Sequence, residues 1–461
     1  MNNKLKKPGP LSSLFFFKAL REGGAQARLS LLIFGYGSLM KKQLGRFVLF
    51  IAAEVGYIAY MAANGVKSLQ NMSSLGVVEQ TEVYNAAKGI YEYPHGDNSM
   101  LFLLYGVVTI MVTLVFLCVM MASARCSYSS DLLIKEGKKL PTLREDIRSL
   151  LDGNLHKLFL TWPVFGVLMF TIIPLIFMIL IAFTSFDRNH QPPGNLFEWV
   201  GMSNFSAMFS SGGSLAQTFW PILSWTLIWA VFATSTNYIL GMLLAIVINR
   251  KGTRFKSFWR FTFVLSIAMP AFVSLLTMRT IFSSNGAFNI LLRNVGLLAE
   301  TGSFDYFGDP LVAKIMIVLV NIWIGVPFTL LTTTGILKNI PAELYEAAQV
   351  DGSGPAHTFF KITLPYIIFI TTPYLITTFV GNINNFNVIF LLTGGGPESL
   401  EYYHAGKTDL LVTWLYKLTI QHKDYNLGSV ISILVFILMA TTSLLAYRFT
   451  GAYKNEEEFK K

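Results

Sequence analysis

Eight long apolar runs separated by short polar stretches constrain this chain more than any other feature. They lie near residues 47–63, 100–123, 158–185, 222–249, 261–283, 310–336, 366–392 and 427–448. Each reaches or nearly reaches the roughly 17–25 residues that a helix needs to cross about 30 Å of hydrocarbon. No water satisfies a backbone N–H or C=O in that medium, so the spanning segments must be helical. The expected fold class is all-α: a polytopic membrane protein with about eight transmembrane helices. Composition excludes a soluble globular domain, since 53% of residues are hydrophobic, 13% are charged and the mean hydropathy is +0.52. The first run is the shortest and carries Glu54, a carboxylate that either faces a neighbouring helix or bilayer edge or marks a functional site.

Basic residues set the orientation. The N-terminus, alternate loops and C-terminal tail hold 27 Lys and Arg, against 7 in the opposite loops. Basic loops stay inside, so both termini are expected in the cytoplasm, together with residues 125–157 and 337–365. Residues 64–99 and 393–426 are expected outside. The net charge of +10 follows from this bias, so no nucleic-acid partner is inferred. The basic stretch RKGTRFKSFWR suits topological anchoring, with contact to anionic membrane lipid as a second role. Residues 1–46 lack a compact apolar core before a small-residue cleavage site and are expected to be retained, with ARLSLLIFGYGSLMKKQLGRF as a helix on the cytoplasmic membrane surface. Cys118 and Cys126 have no metal-ligand spacing, so both are expected reduced, with no metal and no cofactor.

Residues 341–365, PAELYEAAQVDGSGPAHTFFKITLP, are too polar to cross a membrane. Pro341 suits the first turn of a helix, Glu343 and Glu346 lie near its positive end, and Leu344, Ala347 and Ala348 share an apolar face. Gly352 and Gly354 permit a reversal, Pro355 can open a second short helix, and Pro365 enters the next apolar run. The expected shape is helix, tight turn, helix on one side of the membrane. This stretch resembles the EAA loop of ABC-importer permeases: EAA, three residues, Gly, nine residues, then Ile-x-Leu-Pro. Glu346, Ala347, Ala348, Gly352, Ile362, Leu364 and Pro365 match every anchor. The resemblance implies that these residues, with Asp351, dock into a cleft of a cytoplasmic ATPase.

A site within the membrane needs polar groups that face the bundle interior. VNIWIGVPF supplies Asn321 and Trp323 beside Gly325 and Pro327, and GNINNFNVIF supplies Asn382, Asn384, Asn385 and Asn387. Amides donate and accept, matching vicinal sugar hydroxyls, while aromatic faces cover sugar C–H surfaces. Asn321, Trp323, Asn382 and Asn385 are the expected ligand groups, whereas Asn384 and Asn387 are expected to bond between helices. WIGVPF, NIPAELYEAAQVDGSG, KITLPYI, NNFNVIFLLTGGGP and TDLLVTWLYKL narrow the resemblance to the larger permease subunit of maltose and maltodextrin importers. That resemblance implies sugar contacts at Asn321, Trp323, Gly325, Asn382 and Asn385, with Ser266 and Ala271 near Pro270 as weaker matches.

The resemblance also divides the chain: a basic segment at 1–46, two peripheral helices at 47–124, a cytoplasmic linker at 125–157, a six-helix permease core at 158–448 and a tail at 449–461. It implies a bacterial plasma-membrane location, a second related permease, two copies of a cytoplasmic ABC ATPase, and an oligosaccharide delivered by an external binding protein. Only residues 187–217 lie where the enteric permease inserts a large domain, so this chain is more similar to Gram-positive forms, whose binding protein is lipid-anchored. No GxxxxGK[ST] phosphate loop is present, so ATP hydrolysis is expected in a separate chain. Galacto-oligosaccharides are an alternative cargo. An ion-coupled secondary transporter would need buried carboxylates at mid-span, and a non-transporting scaffold would leave the amides unexplained.

Overall fold

The computed structural model describes residues 13–250 and 252–448; the expectations for residues 1–12 and for the tail at 449–461 lie outside the described residues. Among the described residues, seven helices are long and apolar enough to cross a membrane, and a bent pair makes an eighth. In chain order the spans are Leu44–Ser74, Ser99–Lys135, Leu155–Ile181, Ser214–Asn249, the pair Lys256–Ala268 and Ala271–Ile281, Pro310–Asn339, Pro355–Ile383 and Tyr425–Arg448. The all-α expectation holds, with one small antiparallel hairpin (Val83–Asn85 with Ile90–Glu92) between the first two spans. The chain forms two compact units that meet at Val200 and Gly201.

The first unit holds spans one to three. Three short helices, Ser13–Glu22, Ala25–Leu29 and Tyr36–Met40, pack against the second span. Ser123 Oγ donates to the Ser30 carbonyl and accepts from Gly35 N–H, and Lys41 pairs with Asp131 at 2.7 Å. A β-carbon on Gly37 would lie 1.9 Å from Ser127 Oγ, so glycine is what lets the two backbones meet. Glu54 accepts the Phe34 N–H at 2.7 Å, which gives this carboxylate a structural partner. Tyr57 and Tyr60 bond to Thr113 and Thr109, tying span one to span two.

The second unit holds spans four to eight around a core of Trp225, Trp229, Ala233, Leu275, Ile317, Val320, Val388, Ile389, Leu392 and Leu410. Small residues on one face of span four, Ala230, Ala233, Gly241 and Ala245, let span six approach closely. A β-carbon on Gly241 would strike Thr329 at 2.6 Å. Between spans seven and eight, a loop and the short helix Leu411–Tyr416 pack back onto span four, where Thr226 Oγ1 accepts Leu411 N–H and Trp225 Nε1 donates to the Thr408 carbonyl.

Several elements depart from the apolar runs. The first span continues to Ser74, and its 31 residues extend about 46 Å, longer than the hydrocarbon is thick. The second continues to Lys135, so part of the expected linker is helix. The fifth is not straight: it turns by 91° at Met269 and Pro270, both extended, because Pro270 has no N–H to continue the ladder. The seventh ends at Ile383 rather than near residue 392, and the short helix Phe386–Leu392 follows. There the amide of Asn385 accepts Val388 N–H and caps that second helix, the use that Asn side chains favour over a helix interior. The helix opened by Pro355 is not a short separate piece, because it runs into span seven through a π-turn at Phe359–Thr363. Pro365 cannot donate to a carbonyl one turn back, and the widened turn accommodates that loss.

Candidate substrate cavity and coupling loop

Spans four, six and seven border a cavity of about 230 Å³. Span six contributes Asn321, Gly325, Phe328 and Thr329; span seven contributes Tyr374, Leu375, Thr378 and Asn382; span four contributes Thr234, Asn237 and Tyr238. Asn321 lies about 16 Å from the start of its helix, at 1.5 Å per residue. A β-carbon on Gly325 would lie 2.1 Å from Asn237 Nδ2, so span six carries glycine where a span-four amide sits against it.

The span-seven amides are tied into the helix break. Asn382 Nδ2 donates to Thr234 Oγ1 at 3.0 Å, Asn385 Nδ2 donates to Asn382 Oδ1 at 3.3 Å, and the Asn382 carbonyl accepts Trp229 Nε1–H at 3.1 Å. Tyr238 and Thr371 share a hydroxyl bond of 2.6 Å nearby. Among the described residues no Asp, Glu, Lys or Arg lines this cavity, so its chemistry is that of neutral donors and acceptors beside aromatic rings.

Of the residues expected from sequence, Asn321, Gly325 and Asn382 come together here. Trp323, Ser266 and Ala271 line a second cavity of about 270 Å³ at the bend of span five, and Phe328 borders both. Asn385 lines neither cavity. Sequence reasoning passed over Thr234, Asn237, Tyr238, Tyr374 and Thr378. The signal available was TSTN at 234–237, four consecutive polar residues inside an otherwise apolar span.

The EAA-like loop begins with the helix Ala342–Val350, in which Ala348 is buried and Glu346 and Ala347 are exposed. Pro341 caps this helix rather than occupying its first turn. Gly352 has φ +73°, its N–H donates to Gln349, and Ser353 N–H donates to Ala348, closing the helix end. Asp351 is exposed beside it. Tyr345 and Thr363 share a hydroxyl bond of 3.1 Å, and Leu364 packs with Tyr238, Met242, Ile336 and Ile367, so the loop is keyed to spans four, six and seven. Ile362 is half-buried and Pro365 exposed, while Leu344, Val350 and Phe360 present apolar surface.

Residues 237–454 match the family described as binding-protein-dependent transport system inner membrane component. Over 432 residues the chain is 32% identical to the galactooligosaccharides transport system permease protein of Bacillus subtilis (strain 168), covering 93% of this chain and 98% of that one. The chain belongs to this family. It is thus an integral membrane permease of the binding-protein-dependent ABC type, as the resemblance led one to expect. The maltodextrin transport system permease protein of the same organism is 31% identical, with 94% of this chain and 97% of that one covered. A solved bacterial alginate ABC transporter, in complex with a periplasmic protein bound to alginate pentasaccharide, matches with a TM-score of 0.53 at 21% identity. That match covers 66% of this chain and 95% of the solved one, and it supports the permease fold.

Proposed function

We propose that this permease imports neutral oligosaccharides of the maltodextrin type, paired with a second related permease, driven by two copies of a cytoplasmic ABC ATPase and supplied by a lipid-anchored external binding protein. The observation that carries the reading is the uncharged, amide-lined cavity between spans four, six and seven, bordered by Phe328 and Tyr374. Sugar hydroxyls match amides and hydroxyls, and aromatic rings match pyranose C–H faces. Asn321, Gly325 and Asn382 would meet the sugar in one cavity and Trp323, Ser266 and Ala271 in its neighbour, with Asn385 fixing the helix break beside them. Glu346, Ala347, Ala348, Asp351 and Gly352 would form the ATPase contact, and Ile362, Leu364 and Pro365 would join it to span seven. In this reading 158–448 is the transport core, 47–124 is peripheral, 125–157 links them, and both termini are cytoplasmic.

Galactooligosaccharides are the second reading, favoured by the 32% identity to a permease of that name. Sugar-stimulated ATP hydrolysis by the reconstituted complex tests both. Stimulation by maltotriose supports the first, stimulation only by a galactotriose supports the second, and stimulation by neither overturns the sugar reading.

A further inference from the structure

Hydrogen-bonding capacity in the cavity is used unevenly. The Asn382 amide is engaged by Thr234 and Asn385. Asn237 Oδ1 and Asn321 Nδ2, by contrast, are buried with no hydrogen-bond partner among the described residues. Both side chains belong to residues more than nine-tenths buried, 8% and 5% exposed respectively, and both line the same cavity. Unpaired buried polar atoms are costly, so native proteins keep few of them without a use. One is an acceptor and the other a donor, and they belong to cavity-lining residues of different spans. A hydroxyl group can donate to the first and accept from the second.

Asn237 also shapes its neighbour. It stands about 18 Å from the end of span four at Asn249, and its amide occupies the space that any side chain at position 325 would need. The glycine of WIGVPF therefore serves the amide opposite it.

We propose that Asn237 is a specificity-determining substrate contact: its Oδ1 accepts from, and Asn321 Nδ2 donates to, hydroxyls of one neutral pyranose ring. The inference rests on the sugar-import reading and adds a span-four residue to it. The test uses the assembled transporter with its ATPase and binding protein, reconstituted in lipid. Maltotriose and galactotriose are compared first, and a series lacking one hydroxyl at a time is built on whichever stimulates hydrolysis. Permease and variant receive sugar from the same binding protein, so its preferences cancel in their ratio. Asn237→Ala is expected to lower kcat/KM for the parent sugar about 3- to 10-fold. For the analogue that lacks the contacted hydroxyl the loss should shrink to about twofold or less, because partner and contact are already gone. Asn321→Ala should single out hydroxyls of the same ring. If Asn237→Ala fails to assemble, Asn237→Ser is scored in the same way. Equal losses across the whole series overturn the inference, because they would give each amide a packing role alone; the import reading then stands, since the parent sugar still drives the unmodified transporter. If neither parent sugar stimulates the unmodified transporter, both fall together.

Discussion

Asp409 and Lys417 form a buried ion pair at 2.8 Å in the loop between spans seven and eight. Burial pushes the Asp409 carboxyl up from its ordinary range, opposed by Lys417 and by the hydrogen bond from Gly406. Lys417→Met would leave the carboxylate unmatched, at a cost of about 3–5 kcal/mol when ionised. A carboxyl whose folded pKa is raised favours folding at low pH and loses that contribution as pH rises through the raised value. The Lys417→Met variant should therefore unfold at lower temperature than the parent, by a margin that widens as pH rises. Asp409→Asn combined with Lys417→Met should recover most of the loss. Thermal unfolding in detergent measures both; a pH-independent deficit no worse than that of the double variant would show that the pair is not balanced in this way. Gly325→Ala makes a second single-residue case, because its β-carbon overlaps the Asn237 amide. Overpacking of this kind costs about 1–3 kcal/mol, so assembly of the transporter should fall, and Asn237→Gly in the same chain should restore it. Persistence of the defect in the double variant would locate its cause elsewhere. Asn321, Gly325 and Asn382 were legible in the sequence because amides and glycine stand out in apolar runs. Asn237 was passed over although TSTN at 234–237 stands out in its span, since four polar residues in a row do not say which of them faces another helix.

At the scale of elements, apolar length located every span but not its shape. Span five is apolar on both sides of Pro270, so no change in pattern marks a 91° turn that arises from one missing N–H. In span seven four amides within six residues were legible as unusual, yet their density reflects in part a helix end and a new helix start. In the EAA-like loop the reversal at Gly352 was legible, because glycine admits positive φ, whereas the continuity of the Pro355 helix with span seven was not. At Gly352 the structure supplies the reason. A β-carbon there would meet nothing within 4 Å, so the constraint is not space within this chain but φ +73°. A β-branched residue in that region costs about 1 kcal/mol or more. Gly352→Val is therefore expected to open the turn, weakening co-purification of the ATPase or abolishing sugar-stimulated hydrolysis while the spans still insert. Glu346→Ala should have a milder effect, because an exposed charged contact is worth about 1 kcal/mol or less. Normal attachment and stimulation in Gly352→Val would remove the loop from the coupling role.

For the molecule as a whole, charge and helix length make independent demands on topology. From the bias of 27 basic residues against 7, Ser353 is expected with the cytoplasmic loops and Ser73 on the opposite side. Helix length carries Ser73 far from Arg46: it stands in the last turn of span one, about 44 Å from Leu44, so with Arg46 at the inner surface Ser73 would emerge beyond the far one. Arg46 is itself held near the loop side by Asp146, on the helix Leu143–Leu151 that follows span two. Arg46 and Ser73 both belong to the first unit, while Ser353 belongs to the second. Replacing Cys118 and Cys126 with serine clears the background; Cys126 lies 3.6 Å from an Arg46 nitrogen, so that replacement needs an uptake control. In the cysteine-free chain, Ser73→Cys should react with a membrane-impermeant maleimide on intact cells, whereas Ser353→Cys should react only after permeabilisation. Labelling of Ser353→Cys from outside intact cells would put the coupling loop on the wrong side for a cytoplasmic ATPase and sink the import reading with it. If Ser73→Cys alone stays unlabelled, the fault lies in the first unit: span one would then end within the bilayer, and its 31 residues would have to lie partly along the membrane surface.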